Sequence, residues 1–445
     1  MEWKKVKLKS IFNQYRIEHR VQDDIVYKQV TISKHTGVSF RGEKLGKEIG
    51  RKRQFVIDLD LHPHTLMFVR QGVQDGSIGF APLEVNKCIV TENMPMFSVE
   101  DVDVEFIKSY IESSLFKDIL NNLSTKGAAQ KSIHEKELLE VEILIPKSLE
   151  EQKAFGKLIK DSTKNSNNIS TEITHQLDLI KNLRQAFLRE AMQGILVSNE
   201  TSDGKTGADL LAEIQAEKAQ LVKEKKIKKP KPLAPITNEE IPFAIPENWT
   251  WCRLGELTNI KSGKRIHLAD YVKEGIPFLR SGEIGTLGRG EVIKEPLFIS
   301  KEKYLEIKES FGVPKPGDIL IACIGGSIGN TWVVDEREFY FKDGNLVLIE
   351  SNNFLNFRFI LYYLKSPFFW NNTILNATDS SYNALTIIKL DNAEFPLPPL
   401  EIQERLVAKL DELMGYCDAL EDQVKQSQQT NELLLQQVLR EALGA

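Results

Sequence analysis

The chain repeats part of its own sequence at a fixed spacing of 251 residues. Leu149-Glu150-Glu151-Gln152 returns as Leu400-Glu401-Ile402-Gln403, and Leu188-Arg189-Glu190-Ala191 returns as Leu439-Arg440-Glu441-Ala442. Because the spacing is the same at both ends, no residue has been inserted or lost between the two motifs. One inserted residue would rotate the whole face of a helix, since its side chains follow a period of 3.6. The constant spacing therefore predicts a continuous helix in each copy.

An apolar pattern alternating four and three residues runs through both segments, as in the seam of a coiled coil. In the second copy its members are Leu406, Leu410, Leu413, Cys417, Leu420, Val424, Ser427, Asn431, Leu434 and Val438. In the first copy they are Phe155, Ile159, Ser162, Ser166, Ile169, Ile173, Gln176, Ile180, Leu183 and Phe187. Helices of about 40 residues are about 60 Å long. We expect them to pack on each other, with the polar seam positions fixing register.

The segments ahead of these helices correspond more loosely. Trp3 matches Trp249, Gly76-Ser77-Ile78-Gly79 matches Gly326-Ser327-Ile328-Gly329, and Thr125 matches Thr378. The spacing drifts by several residues between these matches, and the sequence between them is largely different. This pattern predicts a common scaffold that carries two different surfaces.

Each half reads as a mixed α/β domain. Gly317-Asp318 is a turn into the strand Ile319–Ala322, Leu346–Ile349 is a second strand, and Phe357–Leu364 is an amphipathic helix. The predicted fold is α/β, with two tandem globular domains separated by two long helices in an antiparallel, pseudo-two-fold symmetric coiled coil. The predicted segments are a first globular domain at 1–147, a first long helix at 148–197, a linker with a charged helix at 198–245, a second globular domain at 246–398 and a second long helix at 399–445.

Bulk properties place the chain among ordinary globular proteins. A length of 445 residues exceeds what one core holds. No run approaches the roughly 18 apolar residues of a membrane span, and the N-terminus has no signal-peptide core, so we expect a cytoplasmic protein. The four cysteines are scattered, which favours buried thiols over disulfides or structural zinc. The net charge of −5 does not argue against nucleic acid, because local basic patches decide such binding.

Motifs for chemistry are weak or incomplete. Gly204-Lys205-Thr206 lacks the first glycine of a phosphate-binding loop, whose place is taken by Asn199. His62-Pro63-His64 has no neighbouring acidic residue or cysteine at metal-ligand spacing. No nucleophile, acid–base pair or metal cluster stands out. We therefore predict no catalytic residue, no metal site and no cofactor on this chain.

Several of these motifs together carry a family resemblance. Ile145–Gln152 and Phe395–Gln403 each join a proline-containing strand end to a long helix through Leu-Glu-x-Gln. With Trp249–Gly255, Gly317–Leu320 and the Leu-Arg-Glu-Ala helix ends, they resemble the specificity subunit of type I restriction-modification enzymes. The segment Ala208–Lys218 is similar to the interdomain region of that family. One departure is Pro146-Lys147-Ser148, where the family favours a Pro-x-Pro-Pro turn.

The resemblance implies a non-catalytic subunit that reads a bipartite double-stranded DNA site, one half per domain. It implies two modification subunits (adenine methyltransferases) docked on the long helices, and restriction subunits (ATP-dependent translocase and endonuclease) that join them. S-adenosylmethionine, ATP and Mg²⁺ would then belong to these partners. Two related domains also suit the approximate dyad of duplex DNA, with half-sites about 34 Å apart.

Basic and small polar residues near glycine-rich loops are the candidate DNA contacts, because lysine and arginine bind phosphates and guanine. In the first domain they are Lys34, Thr36, Ser39, Arg41, Arg51, Lys52, Arg53, Arg70, Lys126 and Gln130. In the second domain they are Lys261, Ser262, Lys264, Arg265, Arg280, Ser281, Arg289, Ser381, Tyr382 and Asn383.

Other functions remain open from the sequence. One is the recognition subunit of a fused type IIB-like methyltransferase and endonuclease, which a separate translocase partner would exclude. Another is a coiled-coil scaffold without a DNA role, which predicts near-identical halves. A self-contained enzyme is opposed by the missing nucleotide and methyl-donor motifs.

Overall fold

The computed structural model describes residues 2–49, 53–123, 132–225, 227, 229–375 and 384–443. The chain forms two compact units, residues 1–175 with 424–445 (unit 1) and residues 176–423 (unit 2). Each long helix contributes to both units, so each unit combines one α/β domain with segments of the two helices.

The first half of the chain holds eleven strands and four helices within its described ranges. The strands are β1 (Trp3–Lys7), β2 (Phe12–Tyr15), β3 (Glu18–His19), β4 (Val26–Ser33), β5 (Gly37–Leu45), β6 (Gln54–Val56), β7 (Leu66–Phe68), β8 (Ile78–Phe80), β9 (Ile89–Thr91), β10 (Met96–Val99) and β11 (Glu142–Pro146). The helices are α1 (Val104–Glu112), α2 (Ser114–Leu123), α3 (Glu135–Leu139) and the long α4 (Leu149–Met192).

The second half follows the same plan. Its strands are β12 (Thr250–Arg253), β13 (Asn259–Ser262), β14 (Tyr271–Val272), β15 (Ile276–Leu279), β16 (Leu297–Ile299), β17 (Ile319–Ala322), β18 (Thr331–Val333), β19 (Tyr340–Phe341), β20 (Leu346–Glu350) and β21 (Glu394–Leu397). Its helices are α5 (Gly207–Lys223), α6 (Leu254–Leu257), α7 (Ser281–Gly288), α8 (Lys301–Ser310), α9 (Phe357–Lys365), α10 (Pro367–Phe369, continued by a π-helix at Trp370–Leu375), α11 (Ile387–Asp391) and the long α12 (Leu400–Leu443).

Both domains are built on the same frame. In unit 1 an antiparallel sheet has the order β2-β10-β7-β8, and β1 pairs with β11. In unit 2 the order is β13-β20-β17-β18, and β12 pairs with β21. Two helices follow the last strand of each sheet, and a short helix precedes the final strand. The predicted α/β fold and the predicted common scaffold are confirmed.

The four-stranded sheet of unit 2 lies between two hydrophobic cores. Ile319 and Ile321 of β17 belong to the core shared with α9 and the long helices. Leu320 and Ala322 face the other way, into a core with β15, α7 and α8. Successive side chains of a strand point to opposite faces, so a strand buried on both faces is apolar throughout. This accounts for the uninterrupted Ile-Leu-Ile-Ala run.

The domains differ in the element added to this frame. Unit 1 carries a five-stranded sheet of order β3-β6-β9-β4-β5. Unit 2 carries a four-stranded sheet of order β14-β16-β15-β19, in which β15 and β19 are parallel. The added sheets differ in strand number and topology, so the divergence of the two halves is one of fold as well as surface.

The glycine motifs of the two halves lie in equivalent hairpins but not at equivalent positions. Gly76 and Ser77 end the β7–β8 loop, and Ile78 and Gly79 already belong to β8. In unit 2, residues 326–329 all precede β18. The short motif therefore places both sequences in the same hairpin, while the sheet itself sets the alignment.

A buried glutamine explains why the Leu-Glu-x-Gln motif is repeated. Gln152 donates a hydrogen bond from Nε2 to the Pro146 carbonyl at 2.8 Å, and its Oε1 accepts from the Asp103 amide at 2.8 Å. Gln403 makes the same two bonds, to the Pro398 carbonyl at 2.9 Å and from the Asn356 amide at 2.9 Å. Each glutamine thus joins the end of a β-strand, the start of a long helix and the N-cap of α1 or α9.

Replacing either glutamine by methionine is expected to destabilise its own unit. The substitution keeps the size of the side chain but leaves a buried amide and a buried carbonyl unpaired, which costs about 1–3 kcal/mol. Thermal unfolding and hydrogen exchange of Gln152→Met and Gln403→Met would measure the loss. Gln429→Met, an exposed position on α12, is the control. Equal stability of all three variants would contradict this role.

The two long helices run antiparallel within each unit. In unit 1, Asn431 of α12 donates from Nδ2 to the Ser166 carbonyl at 3.1 Å and to Ser170 Oγ at 3.2 Å. Towards the start of α4, Ile159 shares a core with Ala442 near the end of α12. In unit 2, Leu188 near the end of α4 shares a core with residues 402–410 at the start of α12.

Four apolar positions of the predicted seam are not buried. Ile169, Leu183, Leu420 and Leu434 were predicted to be buried, but they are 46%, 39%, 45% and 58% exposed. The seam positions Ile159, Ser166, Ile173, Ile180, Cys417 and Asn431 are buried as predicted. Arg184, Glu421 and Leu435, each one residue further along than an exposed leucine, are half-buried instead. Arg184 pairs with Asp418 and Glu421 of the other helix, at 2.6 and 3.0 Å.

The predicted linker packs on unit 2. Leu210 and Ile214 of α5 enter its main core. Lys218 Nζ donates to the carbonyls of Gly255 and Thr258 at 2.9 and 2.8 Å. Burial lowers the pKa of Lys218 to about 8. The segment after α5 is held by Arg253, whose guanidinium binds the Ala234 carbonyl and other oxygens of unit 2.

Candidate nucleic-acid interface

Seven of the predicted contact residues lie outside the residues that the structure describes. They are Arg51, Lys52, Lys126, Gln130, Ser381, Tyr382 and Asn383. The other thirteen are placed by the strands and helices of the two units, six in unit 1 and seven in unit 2.

In unit 1, three predicted residues come together at the tip of the β4–β5 hairpin. Lys34 and Thr36 lie in the turn and Ser39 follows in β5. Thr36 Oγ1 is 2.8 Å from Ser33 Oγ and 3.4 Å from Ser39 Oγ, which gives a row of hydroxyl groups along the tip. Gly37 adopts a positive φ of 61°, so the turn needs a residue without a β-carbon there.

Arg41 is placed by a β-bulge further along the same hairpin. Val30 pairs with Phe40 and Gln29 pairs with Gly42, which leaves Arg41 as the extra residue. A bulge redirects the side chain that it carries. Arg41 is exposed and has no ion-pair partner among the described residues, whereas Arg53 lies 4.0 Å from Glu18 on the opposite edge of the sheet.

Arg70 belongs to the β7–β8 loop but is already paired. Its Nε and Nη2 donate to the two carboxylate oxygens of Glu135 at 3.0 and 2.5 Å. These bonds raise the pKa of the guanidinium. Glu135 therefore occupies the paired donor groups of the Arg70 guanidinium, and a base or phosphate would have to displace that carboxylate.

In unit 2, several loops converge on the turn between β19 and β20. Ser262 at the end of β13 accepts a hydrogen bond at Oγ from the Gly344 amide at 3.3 Å. Ser281 at the start of α7 donates to the Asn345 carbonyl at 3.4 Å, and the Cys323 amide donates to the same carbonyl at 2.9 Å. The turn thus brings Ser262 and Ser281 beside the glycine loop that follows β17.

Lys261 in β13 and Lys264 just after it are held by acidic neighbours, while the next arginine has no partner among the described residues. Lys261 forms an ion pair with Glu350 on the paired strand β20. Lys264 Nζ lies 3.1 Å from Glu306 of α8. Arg265 is exposed, and no described residue offers it a partner.

Arg280 and Arg289 lie at opposite ends of α7. Arg280 precedes the helix and pairs with Glu283, and the hydrogen bond raises the pKa of its guanidinium. Arg289 follows the helix and binds Glu291 at 2.8 and 2.9 Å. The eight residues of the helix lie between the two arginines, so each pairs with an acidic residue at its own end of the helix.

Two cationic residues near these loops were missed from the sequence. Lys117 of α2 lies beside Gly76, and Lys342 lies in the β19–β20 turn. Lys117 lies in an amphipathic helix and not near a glycine-rich loop in the sequence, and Lys342 follows a buried strand. Only the packing of separate segments brings them to these surfaces.

The described residues also bear on other kinds of site. All four cysteines are buried and unpaired, as predicted. No described group of three or more His, Cys, Asp or Glu side chains is arranged to hold a metal ion. In the part of the chain that the structure describes, no helix has the length and apolarity of a membrane span.

Comparison with known proteins bears on the family. Residues 246–428 match the type I restriction modification DNA specificity domain. The specificity subunit of the type I restriction enzyme EcoAI from Escherichia coli is 34% identical over 256 residues, covering 56% of this chain and 42% of the relative. The chain thus spans less than half the length of this curated relative.

Two solved structures share the fold across nearly the whole chain. One is a chain from a study of complex assembly and conformational transition of the type I R-M system, with 20% identity, a TM-score of 0.65 and coverage of 99% of this chain and 97% of that one. The other is the HsdS subunit from Thermoanaerobacter tengcongensis, with 20% identity, a TM-score of 0.56 and coverage of 99% and 96%. The resemblance seen in the sequence is confirmed as a similarity: residues 246–428 match the type I restriction modification DNA specificity domain, and the chain shares its fold with these two structures.

Proposed function

We propose that this protein is the sequence-specific DNA-binding subunit of a type I restriction-modification complex in the cytoplasm. Each domain reads one half of a bipartite site in double-stranded DNA, and the chain itself catalyses no reaction. The duplicated frame with two different added sheets carries this proposal. A common frame gives both domains the same relation to DNA, while different added sheets suit half-sites of different sequence.

The long helices are proposed to separate the two readers. Helices of 44 residues are about 66 Å long at 1.5 Å per residue. A rigid helical spacer fixes the gap between half-sites, because its length does not fluctuate as a flexible linker would. Two related readers suit the approximate dyad of the duplex.

The basic residues proposed to face DNA fall into two groups, those without an ion-pair partner among the described residues and those already paired with a carboxylate. Lys34, Arg41 and Arg265 are exposed and unpaired among the described residues, so they are ready to contact phosphates. Arg70, Arg280 and Arg289 carry carboxylate partners, and their contact with DNA requires exchange of one partner for another. The hydroxyl groups of Thr36, Ser39, Ser262 and Ser281 are proposed to contact base edges or phosphates, as are the predicted residues outside the described ranges.

Exposed apolar side chains on the long helices support docking of two modification subunits. Unit 1 exposes Ile169 and Leu434, and unit 2 exposes Leu183 and Leu420. Ile169 corresponds to Leu420 and Leu183 to Leu434 at the repeat spacing of 251 residues. Each unit therefore carries one copy of the same apolar pair. S-adenosylmethionine would be bound by these modification subunits, and ATP and Mg²⁺ by the restriction subunits.

The proposal is tested by methylation with and without partners. The purified chain is expected to transfer no methyl group to DNA, and addition of the modification subunits is expected to give adenine methylation at one bipartite sequence. Single-molecule sequencing of treated DNA identifies the modified adenines. Methylation by the isolated chain, or methylation by the complex without sequence preference, would contradict the proposal. A scaffold without a DNA role predicts the second of these outcomes.

A further inference from the structure

Two lysines from separate elements of unit 1 meet at Gly76. A β-carbon built on Gly76 would lie 3.6 Å from Cε of Lys117 and 3.8 Å from Cβ of Lys34. Lys117 belongs to α2, and Lys34 belongs to the turn between β4 and β5. The two side chains thus flank the same stretch of backbone in the β7–β8 loop.

The charge of these lysines is not compensated by a direct partner. Both are exposed, and among the described residues neither ammonium group has a carboxylate within 4.0 Å. Asp75 adjoins Gly76 and Asp118 adjoins Lys117 in sequence, and neither forms an ion pair with the two lysines. By contrast, Arg70 in the β7–β8 loop is held by two hydrogen bonds to Glu135. Around this loop, one cation is therefore neutralised and two have no carboxylate partner among the described residues.

Gly76 has no side chain to cover the backbone between the two lysines. It adopts a φ of 95°, which only glycine reaches without strain. The hydroxyl groups of Ser33 and Thr36 lie at the hairpin tip that carries Lys34, 2.8 Å apart. Two ammonium groups, a bare backbone and hydroxyl donors together suit a phosphate group of a nucleic acid strand.

We propose that Lys34 and Lys117 form a clamp on a DNA backbone phosphate and do not read a base. Lysine is a compact point charge on a flexible stem, which suits a phosphate, whereas arginine offers a planar fork of donors that fixes the direction of its hydrogen bonds. This inference rests on the proposed function, because it assumes that unit 1 faces DNA. It adds Lys117, which the sequence did not indicate, and it assigns the clamp to affinity and not to specificity.

The test measures how DNA binding by the complex with modification subunits depends on salt. Equilibrium binding to a duplex with the methylated target and to one without it would be followed between about 50 and about 200 mM salt. Because both lysines neutralise one phosphate, the double variant Lys34→Gln with Lys117→Gln is expected to lower the magnitude of the slope of log K against log salt by about 0.9 on both duplexes. Each single glutamine variant is expected to show part of this change, and Lys117→Arg is expected to keep the wild-type slope.

Lys28→Gln is the matched control, because Lys28 is an exposed lysine of the same hairpin. It lies six residues before Lys34 along β4, a distance of about 20 Å. Unchanged slopes in both glutamine variants, with selective binding by the wild-type complex, would overturn the clamp and leave the proposed function standing. A changed methylation sequence in either variant would also overturn it. Loss of selectivity in the wild-type complex would refute the proposed function instead.

Discussion

Exchange of residues 1–147 for the first domain of a type I specificity subunit is expected to change one half of the methylated DNA site. The other half and the gap are expected to stay as they are. The added five-stranded sheet and the hairpin tip with Lys34 and Ser39 lie within the exchanged segment. The second domain and both long helices are untouched, so the elements proposed to read the other half and to set the gap are retained.

The boundary of the exchange follows from the structure. β1 pairs with β11 from Trp3 with Pro146 to Lys7 with Glu142, so a cut after residue 147 moves this ladder as a whole. Gln152 remains in the recipient and still needs the Pro146 carbonyl and the amide of residue 103. Both partners of Gln152 are backbone groups, so they do not depend on a particular donor side chain. A donor domain with proline at the strand end and an Asp or Asn N-cap is expected to place these backbone groups in the same positions.

Mapping of methylated adenines in a host that expresses each hybrid would give the result. The reciprocal exchange of residues 246–398 is the matched control, and it is expected to change the opposite half-site. If either hybrid changed both halves or the gap, reading by separate domains would be wrong. If a hybrid lost all methylation, thermal unfolding would show whether its exchanged domain had folded.

Replacement of Leu183 and Leu420 by aspartate is expected to weaken docking of one modification subunit by more than a hundredfold. A leucine side chain moved out of water contributes about 1.5–3 kcal/mol, so loss of two, about 3–6 kcal/mol, exceeds the roughly 2.8 kcal/mol that corresponds to a hundredfold change. A carboxylate in an apolar contact adds a desolvation cost. Both residues are partly exposed in unit 2, so the substitutions leave its own core intact.

The copy-related pair provides a second arm of the experiment. Ile169→Asp with Leu434→Asp in unit 1 is expected to release the other modification subunit, and the fourfold variant is expected to bind none. Native mass spectrometry would count the subunits, and methylation would report activity. Leu305→Asp is the control, since Leu305 is a leucine of helix α8 with 44% exposure. Full assembly of the fourfold variant would contradict docking at these positions.

The repeat allowed much of the frame to be predicted. The constant spacing of 251 residues predicted two unbroken helices, and α4 and α12 are each 44 residues long. The strands at Ile319 and Leu346 were predicted because runs of buried apolar residues persist through a strand covered on both faces. The topology of the added sheets was not predictable, because their short strands pair across long separations, as β15 does with β19.

The candidate site was less predictable than the frame. Arg70 and Lys34 looked alike in the sequence, as basic residues near glycines. The structure separates them, since Glu135 binds Arg70 from 65 residues away, whereas Lys34 lies beside Gly76 with no carboxylate partner among the described residues. Whether a cation is neutralised depends on which acidic group the fold brings within a few ångströms. No local pattern carries that information.

The long helices show most clearly which features the sequence determined and which the tertiary structure decided. The heptad spacing in the sequence determined that each helix has one apolar side, because residues at that spacing share a face. It did not determine which of two overlapping faces is buried, since both share Ser166, Ile173, Cys417 and Asn431. Contact between the helices decided this in favour of the face with Arg184 and Glu421. The side chains left outside, Ile169, Leu183, Leu420 and Leu434, are those proposed to receive a partner.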